Sequence, residues 1–91
     1  MKLQLGQFTG SGVIPPNSFG TAVAAIPEGH IPMSGGFRGD IGLHVLGSQA
    51  LLPGSDPVGW FAAAFNPTNQ PLTLTVFCQF FDEKDAEYIS I

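Results

Sequence analysis

Short runs of alternating polar and apolar residues, separated by turn-forming residues, cover most of the chain. The strongest run spans residues 72–81. One face of this run carries Leu72, Leu74, Val76, Cys78 and Phe80, and the other carries Thr73, Thr75, Phe77, Gln79 and Phe81. A period of two is typical of a β-strand. Residues 60–65 are apolar on both faces and predict a second well-defined strand.

Weaker strand patterns cover residues 3–8, 21–26, 31–37 and 41–46. Pro32 interrupts the third of these, which favours an edge position, because proline cannot donate to a β-ladder. Residues 10–20 are rich in glycine and proline and predict a break between strands, while residues 51–59 and 66–71 predict loops. Six or seven short strands at near-regular spacing indicate an all-β fold, a small antiparallel β-sandwich or barrel with extended termini.

The chain is predicted to be one domain over residues 1–81, followed by an acidic C-terminal tail or arm over residues 82–91. Five of the ten charged residues fall in that tail. Residues 82–88 are the one helical candidate, but they lack a wide apolar stripe. The clustered carboxylates are best interpreted as a solvated end, since they lack the loop of a calcium-binding EF-hand.

The composition predicts a protein that associates with other subunits. Hydrophobic residues make up 44% of the 91 residues and charged residues only 11%. From residue 3 to residue 81 the only charges are Glu28, Arg38, Asp40 and Asp56. A domain this small cannot bury so much apolar surface in one copy, and exposed apolar surface generally marks an interface. Three basic residues and a net charge of −4 argue against a nucleic-acid partner.

No membrane or export signal is expected. The longest apolar stretch, residues 58–65, is far shorter than the roughly 20 residues that cross a bilayer. Gln4 and Gln7 interrupt the apolar region that a secretory signal peptide needs. Cys78 is the only cysteine, so no disulfide forms within the chain, which fits a reducing compartment.

Candidate catalytic and metal-binding groups are few. His30 and His44 are the only histidines, and no zinc-ligand spacing is present within the chain. A metal site shared across a symmetry axis, with one histidine from each subunit, stays an alternative. We interpret His44 as a strand residue on the less apolar face and His30 as a loop residue. Cys78 lies among apolar neighbours, as a buried inert thiol does. The sequence therefore predicts a non-enzymatic protein with no cofactor.

Arg38-Gly39-Asp40 matches a tripeptide that many cell-adhesion receptors recognise. Matches of three residues are frequent by chance. We favour a hairpin turn between the strands at residues 31–37 and 41–46, with a positive φ at Gly39 and both charges in solvent.

Several short motifs follow one another in the second half of the chain: Ile26-Pro27-Glu28-Gly29, Gly35-Gly36-Phe37, Ser48, Gly59-Trp60, Asn66 and Cys78. In this order they resemble small β-sandwich modules of secreted bacterial proteins and phage particles, over about residues 26–78. The usual form of that pattern begins with Cys-Pro and ends in a second Cys. Ile26 stands in place of the first, so the resemblance implies the sandwich without the disulfide, and it implies no catalytic residues.

The aromatic residues predict the interface. Core positions of interfaces favour aromatic residues and are depleted of charge. The expected contact residues are Phe77, Phe81 and Phe61, together with Tyr88, Ile89 and Ile91 of a C-terminal arm that adds to a neighbour's sheet edge. We expect a homo-oligomer, taken as a trimer, that acts as a virion capsid decoration or cement subunit or a minor structural subunit. Its partner is then a major capsid or other virion protein, met after synthesis in the host cytoplasm.

A carbohydrate- or surface-binding module is the alternative. Trp60 supplies an aromatic platform for a glycan, and Asn66, Asn69 and Gln70 supply polar groups beside it. For Trp60 alone, a place in the sandwich core is the favoured interpretation.

Overall fold

Six antiparallel β-strands form two three-stranded sheets in the computed structural model, which describes residues 5–52 and 54–82. The strands are β1 (Leu5–Ile14), β2 (Ser18–Ala25), β3 (His30–Gly39), β4 (His44–Leu51), β5 (Gly59–Asn66) and β6 (Leu72–Asp82). Sheet A has the order β1-β6-β3, and sheet B has the order β2-β5-β4. The sheets enclose one apolar core, so the predicted all-β fold is confirmed as a small sandwich.

The two strongest sequence patterns occupy the centres of the sheets. β6 pairs with both β1 and β3, and β5 pairs with both β2 and β4. β3 is an edge strand with a register shift between Pro32 and Ser34, in agreement with the position expected for the proline. The described residues contain no helix, and so none that is long and apolar enough to cross a membrane.

The predicted break over residues 10–20 is wrong at both ends. β1 continues to Ile14 and β2 begins at Ser18, so that only the three residues from Pro15 to Asn17 connect them. The glycines of β1 make room for the opposite sheet. A Cβ atom added to Gly10 would lie 1.8 Å from the carbonyl oxygen of Val23 in β2. These glycines allow close backbone contact within a strand, which local sequence does not distinguish from a turn.

The expected hairpin at Arg38-Gly39-Asp40 is also wrong. β3 and β4 belong to different sheets, so their connection crosses the sandwich. Arg38 and Gly39 still lie in β3, and the positive φ is found at Gly42, at 109°. β4 begins only at His44, because Ile41 lies in the turn, fully exposed.

Asp40, the residue after β3, forms two hydrogen bonds with Thr73 of β6. Its backbone N–H donates to the carbonyl oxygen of Thr73 at 3.0 Å, and its carboxylate accepts the Thr73 N–H at 2.8 Å. The carboxylate therefore caps the ladder between β3 and β6.

The two sheets contribute side chains of very different size to the core. Sheet A supplies Ile14, Leu74, Val76, Cys78 and Phe80. Sheet B supplies Ala22, Ala24, Ala62 and Ala64, with Ile26 just beyond β2. Small side chains on one sheet bring the two backbones close together, and the large residues of sheet A fill the space that remains.

Trp60 packs against this core between β3 and β4. Its indole lies over Gly35, where an added Cβ would be 2.2 Å from the ring. The indole N–H donates to Ser48 Oγ at 2.7 Å. On the opposite face of β3 the ring of Phe77 covers Gly36 in the same way. The tandem glycines therefore seat one aromatic ring on each face of sheet A.

The contact between β1 and β2 predicts that Gly10→Ala destabilises the fold by about 3 kcal/mol, because the new methyl group overlaps a backbone carbonyl that cannot rotate away. Urea denaturation measures the loss. Gly47→Ala is the matched control, since an added Cβ there meets nothing within 4 Å and φ is not positive. Equal stability of the Gly10 variant and the wild type would show that the sheets do not approach so closely.

Candidate interaction surface

The outward-pointing side chains of sheet B form a surface without any charged residue. We call this surface the sheet-B face. It consists of Phe19, Thr21 and Val23 of β2, Phe61, Ala63 and Phe65 of β5, and His44, Gly47 and Gln49 of β4. Phe19 is 73% exposed, and the other phenylalanines are partly exposed. In the middle of β2 and β5 alanine therefore points inward and large apolar side chains point outward, the reverse of the usual pattern of a half-buried strand, while Trp60 at one end of β5 packs against the core.

Cross-strand pairing arranges the sheet-B face in three rows. Phe19 and Phe65 pair in the first row, with their ring centroids 4.7 Å apart, and His44 continues it. The third row pairs Val23, Phe61 and Gln49. The middle row holds only small side chains, those of Thr21, Ala63 and Gly47. The face thus has two ridges with a groove between them.

The outer face of sheet A is largely polar. Ser11 and Thr75 share a hydrogen bond at 3.3 Å, and Arg38 lies in the same row. In another row Ser34 Oγ donates to Gln79 Oε1 at 2.7 Å. Such rows of hydroxyl and amide groups are well solvated by water. The outer face of sheet A is therefore suited to solvent, whereas the sheet-B face exposes apolar side chains.

The structure does not bring the predicted interface residues together on one surface. Phe77 lies on the outer face of sheet A, and Phe61 lies on the sheet-B face, on the opposite side of the sandwich. Phe81 follows the outward register of β6 but is only 5% exposed. Tyr88, Ile89 and Ile91 lie outside the described residues.

The sequence interpretation missed Phe19 and Phe65. Phe19 fell inside the predicted break, and residues 60–65 were taken as apolar on both faces without regard to size. The available signal was the alternation of alanine with larger residues in β2 and β5, which marks the inner and outer faces.

The residues of the carbohydrate alternative are also spread along the sandwich. Trp60 and Asn66 stand six residues apart in β5, about 20 Å at the rise of an extended strand. Asn69 and Gln70 are exposed in the turn that follows Asn66. Trp60 packs against the core, as favoured from the sequence.

Asn66 is fully buried, and its side chain is saturated with hydrogen bonds. Its amide nitrogen donates to the carbonyl oxygens of Ile14 at 2.9 Å and of Gln70 at 2.7 Å. Its oxygen accepts the N–H of Thr68 at 2.9 Å and the hydroxyl of Thr68 at 2.7 Å. Asn66 therefore joins the end of β1 to the turn between β5 and β6, and no hydrogen bond is left for a ligand.

Cys78 lies where the sequence predicted, but His30 does not. Cys78 is completely buried, as predicted, and this burial raises the pKa of its thiol. His30 begins β3 and so is not the predicted loop residue. Its Nδ1 lies 3.1 Å from the carbonyl oxygen of Glu28, and its ring meets Phe80 edge-on. His44 is exposed at the start of β4.

A cleft of about 530 Å³ lies between the β2–β3 and β4–β5 connections. Its polar side chains are those of Glu28, His30, Ser55 and Asp56, and its apolar ones include Ile26 and Val58. Across residues 5–52 and 54–82, no three histidine, cysteine or acidic side chains stand where they could hold a metal ion.

No family model, curated protein or solved structure matches the chain. The resemblance to the small β-sandwich modules therefore stays a prediction. What the structure adds is a local role for three of its motifs. The rings of Trp60 and Phe77 pack over Gly35 and Gly36, Trp60 also packs against the core, and Asn66 is hydrogen-bonded to the turn between β5 and β6.

The hydrogen bonds of Asn66 predict a structural role that can be measured. Asn66→Ala should lower the free energy of unfolding by about 3 kcal/mol, because it removes four hydrogen bonds, including the one donated to the carbonyl oxygen of the buried Ile14. Asn69→Ala, in the exposed part of the same turn, should change it by less than about 0.5 kcal/mol. Chemical denaturation of both variants provides the comparison. Similar stabilities for the two would contradict the role assigned to Asn66.

Proposed function

We propose that this chain is a non-enzymatic structural protein that assembles through the sheet-B face, as a capsid decoration or cement subunit or another small structural subunit of a virion. One observation carries the proposal: sheet B points alanine into its own core and phenylalanine outward. A protein that worked alone would gain stability from the opposite arrangement, since burying a large apolar side chain contributes about 1.5–3 kcal/mol.

The charge distribution supports the same role. All nine residues of the sheet-B face lack a formal charge, while the chain as a whole carries a net charge of −4. Interfaces are depleted of charge at their centres and enriched in aromatic residues. The small number of basic residues favours a protein partner, such as a major capsid protein, over packaged nucleic acid.

Assembly on a shell stabilises it by mass action. A subunit that binds only the assembled state shifts the equilibrium toward that state. Many copies on a repeating lattice convert a modest contact into a strong one, because neighbouring copies are held at high effective concentration.

Density-gradient sedimentation tests the proposal with particles released from cells that carry the gene. We expect the chain to travel with the shell fraction in a fixed ratio to the major shell protein, measured by quantitative mass spectrometry. A small soluble protein of the host serves as the control and should stay at the top of the gradient. If the chain stays there too, it is not a structural part of a particle.

A further inference from the structure

We propose that the sheet-B face binds the same face of a second copy of this chain, with the Phe19–Phe65 ridge of each copy in the groove of the other. This inference rests on the proposed function and names the partner of its surface. A two-fold axis parallel to the sheet and perpendicular to its strands relates the two copies, so the contact is isologous and gives a dimer.

The shape of the face is complementary to itself. Rows on one face of a strand are spaced by two residues, about 6.6 Å. The groove of Thr21, Ala63 and Gly47 lies one row from the Phe19–Phe65 ridge. A two-fold axis midway between these rows, at the level of Ala64, places each ridge over the groove of the other copy. Both contacts then form at once.

The charges favour a second copy over a partner of different chemistry. Two chains that each carry a net charge of −4 repel one another wherever carboxylates face each other. Glu28, Asp40 and Asp56, the acidic residues of the described strands and turns before Asp82, lie outside the sheet-B face. A basic partner would require acidic groups on the face, and it has none. Two copies meet here without bringing formal charges together.

The size of the face sets the strength of the contact. With the axis at the level of Ala64, the two sheets overlap over three strands and about five residues, about 14 Å by 16 Å. This footprint is smaller than the roughly 800 Å² that each partner of a standard stable complex buries. We therefore expect a weak, reversible dimer, which a particle lattice would strengthen.

Sedimentation-equilibrium centrifugation of the purified full chain over a concentration series tests the pairing. The wild type should pass from monomer to dimer. Phe19→Ser removes the exposed part of the ridge and should weaken the dimer at least about tenfold. Val13→Ser is the matched control, because Val13 is 67% exposed on the outer face of sheet A, and it should leave the dissociation constant unchanged.

Ala63→Phe separates this geometry from general stickiness. The substitution enlarges the apolar surface but fills the groove, so the pairing predicts a weaker dimer, whereas nonspecific association predicts a stronger one. Circular dichroism and thermal unfolding establish that each variant is folded before its mass is interpreted.

Three results would overturn the pairing. A wild-type monomer throughout the series, or the trimer expected from the sequence, excludes a two-fold contact. A dimer that Val13→Ser weakens as much as Phe19→Ser places the contact elsewhere. In each case the proposed function is decided separately, by whether the chain sediments with shells.

Discussion

The close approach of the two sheets is the constraint on which the rest of this structure depends. At Gly10 no side chain fits between β1 and the backbone of β2, and the buried apolar residues in the middle of β5 are alanines, with Trp60 packed against the core at one end. With so little space between the sheets, the large apolar residues of sheet A fill the interior. The phenylalanines of β2 and β5 lie on the outside of the sandwich.

This constraint connects packing with function. The same alternation that narrows the core creates the two ridges and the groove of the sheet-B face. In sheet A the large apolar side chains point inward, and hydroxyl and amide groups cover much of the outer surface. One side of the sandwich is therefore suited to water, and the other is an exposed apolar surface of the kind that marks interfaces, as the proposed assembly requires.

The sequence predicted what depends on local alternation. It located β5 and β6, the edge position of the strand with Pro32, and the buried Cys78. The sequence did not predict the glycines of β1, because their role depends on contact with the backbone of the opposite sheet. Gly10 faces the Val23 carbonyl across the sandwich, and only the folded chain shows this contact. The outward face of sheet B was missed for a different reason: residues 60–65 are apolar on both faces, and only the size difference between alanine and phenylalanine distinguishes the two rows.

A dilution series of ¹⁵N-correlated NMR spectra would test most directly whether the sheet-B face is the surface that other copies cover. The account predicts that resonances of β2, β4 and β5 shift as the concentration rises, with the largest changes near Phe19, Ala63 and Phe65. The outward residues of sheet A, such as Ser11 and Thr75, should stay unchanged. Shifts concentrated on β1, β3 and β6, or no shifts at any concentration, would contradict it.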